Sequence, residues 1–228
     1  MTILQTPTNH LPHSLDFYAK LGFQKIEDEH LTLVTDGIAL IEINPDRFAR
    51  AGVKLFQNDW TKTVAALTKE TAVTTISNGY LLADPSGVWI YLLENIPDIA
   101  DAKANHSGSV LGNCAGLSLE TTDLAKSAKI WELLGFEKTM GDLNQGWVAF
   151  KNADDFGVSL MKPYSCPHLF FNPSLTYFNG RQNEAIIEKI RNLGIPITEE
   201  ITYFNKKGEV DNIIIRDPGG FGFFIFND

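Results

Sequence analysis

The chain repeats itself, and no other feature limits its fold as strongly. Residues 14–25 read SLDFYAKLGFQK and residues 127–138 read SAKIWELLGFEK, with Ser14/Ser127, Leu21/Leu134, Gly22/Gly135, Phe23/Phe136 and Lys25/Lys138 identical at a spacing of 113. A second matched pair closes each half: Asp84-Pro-Ser-Gly87 and Asp217-Pro-Gly-Gly220, at a spacing of 133. Two matched segments in the same order imply duplication of a whole structural unit. The larger second spacing implies longer loops in the second copy. We expect one domain over 1–97, a linker over 98–112 rich in small and polar residues, and a second domain over 113–228.

Each copy carries the same sequence of patterns. Leu15, Tyr18 and Leu21 recur at helical spacing after Pro12, and Gly22 ends that helix. Its counterpart starts at Asp123, a good N-cap, and turns Leu124, Ala128 and Trp131 inward. Strand-like runs follow over 31–34 and 38–43, joined by the turn Thr35-Asp-Gly37, and over 147–150 and 158–161. Further strands at 53–56 and 175–178 precede second helices at about 60–69, with Asp59 as the expected N-cap, and about 182–193. Three more strand-like runs follow each helix. The chain then reads as four βαβββ modules, an α+β architecture with helices outside curved mixed sheets.

Composition removes several function classes. The net charge is −9, with 19 Lys and Arg against 28 Asp and Glu. Neither the basic footprint of a nucleic-acid binder nor the basic amphipathic face of a peripheral membrane protein is present. Two cysteines, Cys114 and Cys166, are too few for a disulfide scaffold. The N-terminal residues show no basic and apolar leader pattern, and the apolar run 221–226 is too short to span a bilayer. A cytoplasmic protein is expected. There is no P-loop, no glycine-rich dinucleotide turn and no HExxH.

The helix motifs Ser14–Phe23 and Leu124–Phe136, with the two Asp-Pro-x-Gly turns, resemble the vicinal oxygen chelate superfamily. That superfamily includes glyoxalase I, extradiol ring-cleaving dioxygenases, fosfomycin-inactivating enzymes and bleomycin-binding proteins. The resemblance covers nearly all of the chain outside the linker. It implies two glyoxalase-like half-barrels, each built from a pair of modules around a cleft. It also implies a divalent metal held by His, Gln or Glu from the first and last strands of each module. Counting from the motifs places Ile3, Gly52 and Tyr91 at those positions in one half, and Gly116, Leu175 and Phe224 in the other. Only Glu42 is a ligand type, and Lys162 is read as its counterpart. One carboxylate does not make a divalent site, so no metal and no cofactor are expected.

Five histidines, His10, His13, His30, His106 and His168, read mainly as surface residues. Cys166 and His168 have the spacing of a weak nucleophile–base or metal pair. Glu42, Lys54 and Glu120 are charged residues on strands that would face a cleft. Trp89, Tyr91, Tyr177 and Phe224 would supply its aromatic floor. These seven residues are the expected ligand-binding set. They suit a small aromatic or cationic organic molecule held without metal. The alternative is a metal-dependent lyase, isomerase or ring-cleaving dioxygenase of the glyoxalase type. Beyond a small molecule, with no nucleic acid or membrane partner, the chain is expected as a monomer or homodimer.

Overall fold

The structure, a computed structural model, describes residues 1–95, 97, 99 and 108–228; most of the expected linker, including His106, lies outside them. The first half runs β1 (Thr2–Pro7), α1 (Leu11–Lys20), β2 (Gln24–Ile26), β3 (Leu33–Thr35), β4 (Leu40–Asn44), β5 (Gly52–Phe56), α2 (Thr61–Leu67), β6 (Thr74–Ile76), β7 (Gly79–Ala83) and β8 (Trp89–Leu93). The second runs β9 (Asn113–Glu120), α3 (Leu124–Leu133), β10 (Glu137–Asp142), β11 (Trp147–Lys151), β12 (Gly157–Met161), β13 (Ser174–Phe178), α4 (Asn183–Asn192), β14 (Ile197–Ile201), β15 (Asn212–Arg216) and β16 (Gly222–Phe226). The fold is α+β, with two mixed eight-stranded sheets.

Both sheets have the same order. In the first it is β2-β3-β4-β1-β5-β8-β7-β6, and in the second β10-β11-β12-β9-β13-β16-β15-β14. The two modules of a half join where their first strands pair antiparallel, β1 with β5 and β9 with β13. The last strand of each module runs parallel beside the first: β4 on β1 and β8 on β5. The central strands of a sheet are therefore the first and last strands of its modules.

The helices start and stop where local chemistry dictates. The Asp123 carboxylate accepts from the Lys126 N–H at 3.0 Å and caps α3. Gly22 and Gly135 follow α1 and α3 with φ of +86° and +88°, a left-handed stop that favours glycine. The α2 start departs from expectation. Trp60 is the N-cap residue, and Asp59 bonds the Thr61 N–H from one position further out.

Strand alternation gives every sheet two faces. The convex faces of both sheets and the helices form one continuous core, from Leu4, Val53 and Ile90 through Leu117 and Trp131 to Phe223 and Ile225. The halves are joined by polar ties as well. The buried Asp217 of the second half accepts from Thr6 Oγ1 at 2.6 Å and Tyr18 Oη at 2.8 Å in the first. Reciprocally, Asp84 accepts from Trp131 Nε1 at 3.1 Å. Tyr18 and Trp131 occupy equivalent repeat positions, so the exchange is pseudo-symmetric. Gly219 belongs to this contact: a Cβ there would lie 2.2 Å from the Pro7 carbonyl oxygen.

Candidate ligand clefts

The concave faces carry the candidate sites, and pairing register makes them comparable residue by residue. In the first half Gln5 lies opposite Glu42, Ile3 opposite Lys54, and Lys54 opposite Tyr91. In the second Ser118 lies opposite Ser159, Gly116 opposite Thr176, and Thr176 opposite Phe224. Gln5, Glu42, Lys54 and Tyr91 thus occupy the places that Ser118, Ser159, Thr176 and Phe224 hold in the other half. The expected counterpart of Glu42, Lys162, is corrected: it lies beyond the end of β12, and Ser159 holds that place.

In the first cleft an apolar cluster of Ile3, Leu33, Leu40, Phe56, Leu93 and Ile99 fills one end. Beside it Lys54 forms an ion pair with Glu42, the two side chains 12% and 5% exposed. They come from β5 and β4, which are not neighbours; both flank β1 and reach across it. Gln5 is fixed by donating to the Arg50 carbonyl at 2.8 Å and accepting from Asn44 at 2.9 Å. The Tyr91 hydroxyl lies beside Gln5 and Arg50, and burial raises its pKa above the ordinary tyrosine value. What remains open is a polar cavity of about 240 Å³.

The second cleft is different. Its cavity, also about 240 Å³, is lined by Ala115, Ser118, Trp147, Ser159, Met161, Cys166, Phe170, Thr176, Phe178, Phe224 and Phe226. The hydroxyls of Ser118 and Thr176 hydrogen-bond each other at 2.8 Å in its floor. Phe226 stands edge-on to Phe224 and Phe178, with ring centroids 5.5 and 5.7 Å away. The cavity continues past Trp147 and Phe178 into a wider depression that Ile38 of the first half helps to line. Space on this face depends on small residues. Gly116 has φ of +107°, and a Cβ on it would stand 2.2 Å from the Gly157 carbonyl oxygen.

The seven expected site residues therefore separate. Glu42, Lys54 and Tyr91 meet in the first cleft, and Phe224 lines the second. Trp89 shares a face with Tyr91, their rings 6.3 Å apart, but borders a separate depression with Ala72, Thr74 and Ala83. Glu120 lies at the edge of the second cleft, where its carboxylate accepts the N–H groups of Tyr164 and Cys166 at 3.3 and 3.2 Å and holds their loop. Tyr177 is a correction. It is fully buried on the core face and donates to Asp36 of the first half at 2.7 Å. A register irregularity falls between Thr176 and Tyr177, and the cleft residues there are Thr176 and Phe178. Leu175, counted as a ligand position, also turns into the core.

Cys166 and His168 do not form a catalytic pair. The Cys166 thiol contacts the Met161 sulfur at 3.8 Å, and burial together with Glu120 pushes its pKa up to about 11. The His168 Nδ1 bonds the Leu169 carbonyl, and its ring lies over Phe224 at 4.5 Å. Sequence reasoning did not select Ser159, Met161, Thr176, Trp147 and Phe178 for the site, because hydroxyls and single aromatics on strands carry no motif.

Solved structures share this architecture. A catechol 2,3-dioxygenase aligns over 97% of this chain and 85% of its own, with a TM-score of 0.56 and 12% identity. The 2,3-dioxygenase LapB from Pseudomonas sp. KL28 aligns over 99% and 91%, with a TM-score of 0.56 and 15% identity. The Mn(II)-bound glyoxalase from Novosphingobium aromaticivorans aligns over 97% and 79%, with a TM-score of 0.54 and 13% identity. The chain has the vicinal oxygen chelate fold. No protein-family model matches the sequence, and no curated protein matches it. Identities this low establish the shared fold and not a shared chemistry.

The donor set of this vicinal oxygen chelate fold does not fit a divalent ion in either cleft. Among the described residues no three His, Cys, Asp or Glu side chains stand close enough to hold one. In the first cleft the buried Glu42 carboxylate is taken by an ammonium, which would repel a second cation. In the second, the register positions present two serines, a threonine and a phenyl ring. Among the described residues no helix is long and apolar enough to cross a membrane.

Proposed function

We propose that this chain is a small-molecule binding protein whose second cleft takes an uncharged aromatic compound without a metal. The observation that carries this is the cleft lining: aromatic and aliphatic walls, no ionisable carboxylate or ammonium, and a hydroxyl pair in the floor. An apolar, water-poor cavity of about 150 Å³ is known to accept benzene. The present cavity of about 240 Å³ accommodates a single ring with one or two substituents. The ring would stack among Trp147, Phe178 and Phe224, and a ligand hydroxyl or carbonyl would meet Ser118 and Thr176. The chain acts as a monomer or homodimer with a small molecule as its partner, and its work is sequestration or carriage. The oxygenase and glyoxalase activities of the similar structures are not carried over, because the residues at the equivalent places supply no ligand set.

Trp147 makes the test direct. Titration with phenol, catechol and indole should quench its fluorescence saturably, and added chelator should not change the affinity. Phe224→Ala should weaken uptake by about tenfold, the loss of one good aromatic contact. Unchanged affinity in Phe224→Ala, or binding that vanishes with chelator and returns with a divalent ion, would remove this reading. Preference for the cationic benzyltrimethylammonium over toluene would redirect it to a cation held by the aromatic walls.

A further inference from the structure

The two clefts differ in a way the fold does not demand. The same sheet closes over Ser159 and Thr176 in one half and over Glu42 and Lys54 at the same register in the other. Taking two charges out of water carries a penalty that their attraction seldom repays in full. The sister cleft shows that neutral residues build the same sheet. The ion pair is therefore explained by what the first cleft does rather than by what it needs to fold.

The arrangement of the pair is directional. Glu42 lies underneath, and Lys54 lines the cavity with Gln5, Asn44, Asn78 and Tyr91. Among the described residues Glu42 is the one acceptor for the Lys54 ammonium, which has three donors. Arg50 adds positive charge beside Tyr91. Asp46, also at this cavity, spends a carboxylate oxygen on the Phe48 N–H at 2.7 Å. Ile76 and Leu93 form an apolar wall.

We propose that the first cleft is a second ligand site, specific for a small aliphatic carboxylate received by the Lys54 ammonium. The carboxylate takes the free donors of Lys54, the amides of Asn44 and Asn78 face its second oxygen, and the carbon chain lies on Ile76 and Leu93. Lys54 is a resident cation tethered to the chain, in a fold whose metal ligands this cleft lacks. Glu42 orients it and also weakens its pull on the anion. The second cleft has the opposite chemistry, so the two sites stand or fall separately.

Titration calorimetry on the full chain tests this with acetate, butyrate and hexanoate, each against its neutral amide. At least one acid should bind about tenfold or more tighter than its amide, the worth of roughly one charge-assisted hydrogen bond. Lys54→Thr should abolish acid binding. Glu42→Ser should strengthen it, because the competing carboxylate is gone. The double variant copies the sister cleft, keeps the floor neutral and serves as the folded control; it too should not bind. Amides that bind as well as acids, acid binding that survives Lys54→Thr, weaker acid binding in Glu42→Ser, or no acid binding at all would each overturn the proposal. Phe224→Ala should leave acid affinity unchanged, which separates this site from the second cleft; acid binding lost there would overturn it as well.

Discussion

Replacing Asp217 by alanine should nearly unfold the chain, although the residue sits in a loop. Its Oδ2 accepts from Thr6 and Tyr18, and its Oδ1 accepts the Phe221 N–H at 2.7 Å. Thr6 and Tyr18 are fully buried, so alanine leaves two hydroxyls and an amide without a partner and without water. Each orphaned buried group costs about 1–3 kcal/mol, so three of them give a loss of roughly 3–9 kcal/mol. Total stability is about 5–15 kcal/mol for a typical protein, so this is a large share. Asp217→Asn should behave differently. Its amide oxygen can keep the Phe221 N–H while its NH₂ donates to the two hydroxyls, which rotate to accept.

The pH dependence separates the two substitutions further. Burial raises the Asp217 carboxyl above the ordinary aspartate value. The favourable contribution of a raised acid is complete below the unfolded value and is lost as pH rises through the folded value. Asparagine has no such loss. Asp217→Asn should therefore gain on the native chain between pH 4 and pH 7. Urea unfolding followed by tryptophan fluorescence at both pH values measures all three proteins. A loss below about 1 kcal/mol for Asp217→Ala would refute the accounting of orphaned donors. A native chain that gains on Asp217→Asn as pH rises would refute the sign.

Other consequences are as concrete. Trp131→Phe removes the reciprocal donor to Asp84 and should cost about 1–3 kcal/mol in the same urea assay, less if the site admits water. Because one core spans both halves, the chain should unfold in a single transition with coincident fluorescence and far-UV circular dichroism curves. Gly116→Ala forces a Cβ against the Gly157 carbonyl in a left-handed backbone and should give little soluble protein on expression, whereas Gly87→Ala, where nothing lies within 4 Å, should cost only the strain of φ +83°. With a pKa near 11, the Cys166 thiol is ionised to roughly one part in a thousand at pH 8, so iodoacetamide should label it slowly until denaturant is added.

How far the sequence reached is clearest residue by residue. Ser14 and Ser127, identical in the repeat, each bond a buried threonine, Thr8 at 2.7 Å and Thr121 at 2.6 Å. Phe23 and Phe136 pack edge-on to Tyr18 and Trp131, with centroids 5.2 and 4.9 Å apart. Such local contacts recur because the chain near them recurs. The placement of Tyr91 and Phe224 on cleft faces also followed from motif spacing and strand alternation. The same counting failed at Tyr177, because the cleft position on β13 is Thr176 and not Leu175, which puts Tyr177 on the core face beside Leu175.

The order of elements, the duplication and the polarity of each strand face were written in the local sequence, because helix stops, turns and alternation depend on residues a few positions apart. Tertiary structure alone decided the rest. Asp84 and Asp217 read as turn residues, but their carboxylates tie the opposite half of the molecule. Glu42 and Lys54 are twelve residues apart and meet only because β4 and β5 close on either side of β1. Ser118 and Thr176 become a cleft floor only when β9 pairs with β13. Sheet order and register set those encounters, and they follow from packing between distant segments, which one-dimensional spacing does not contain.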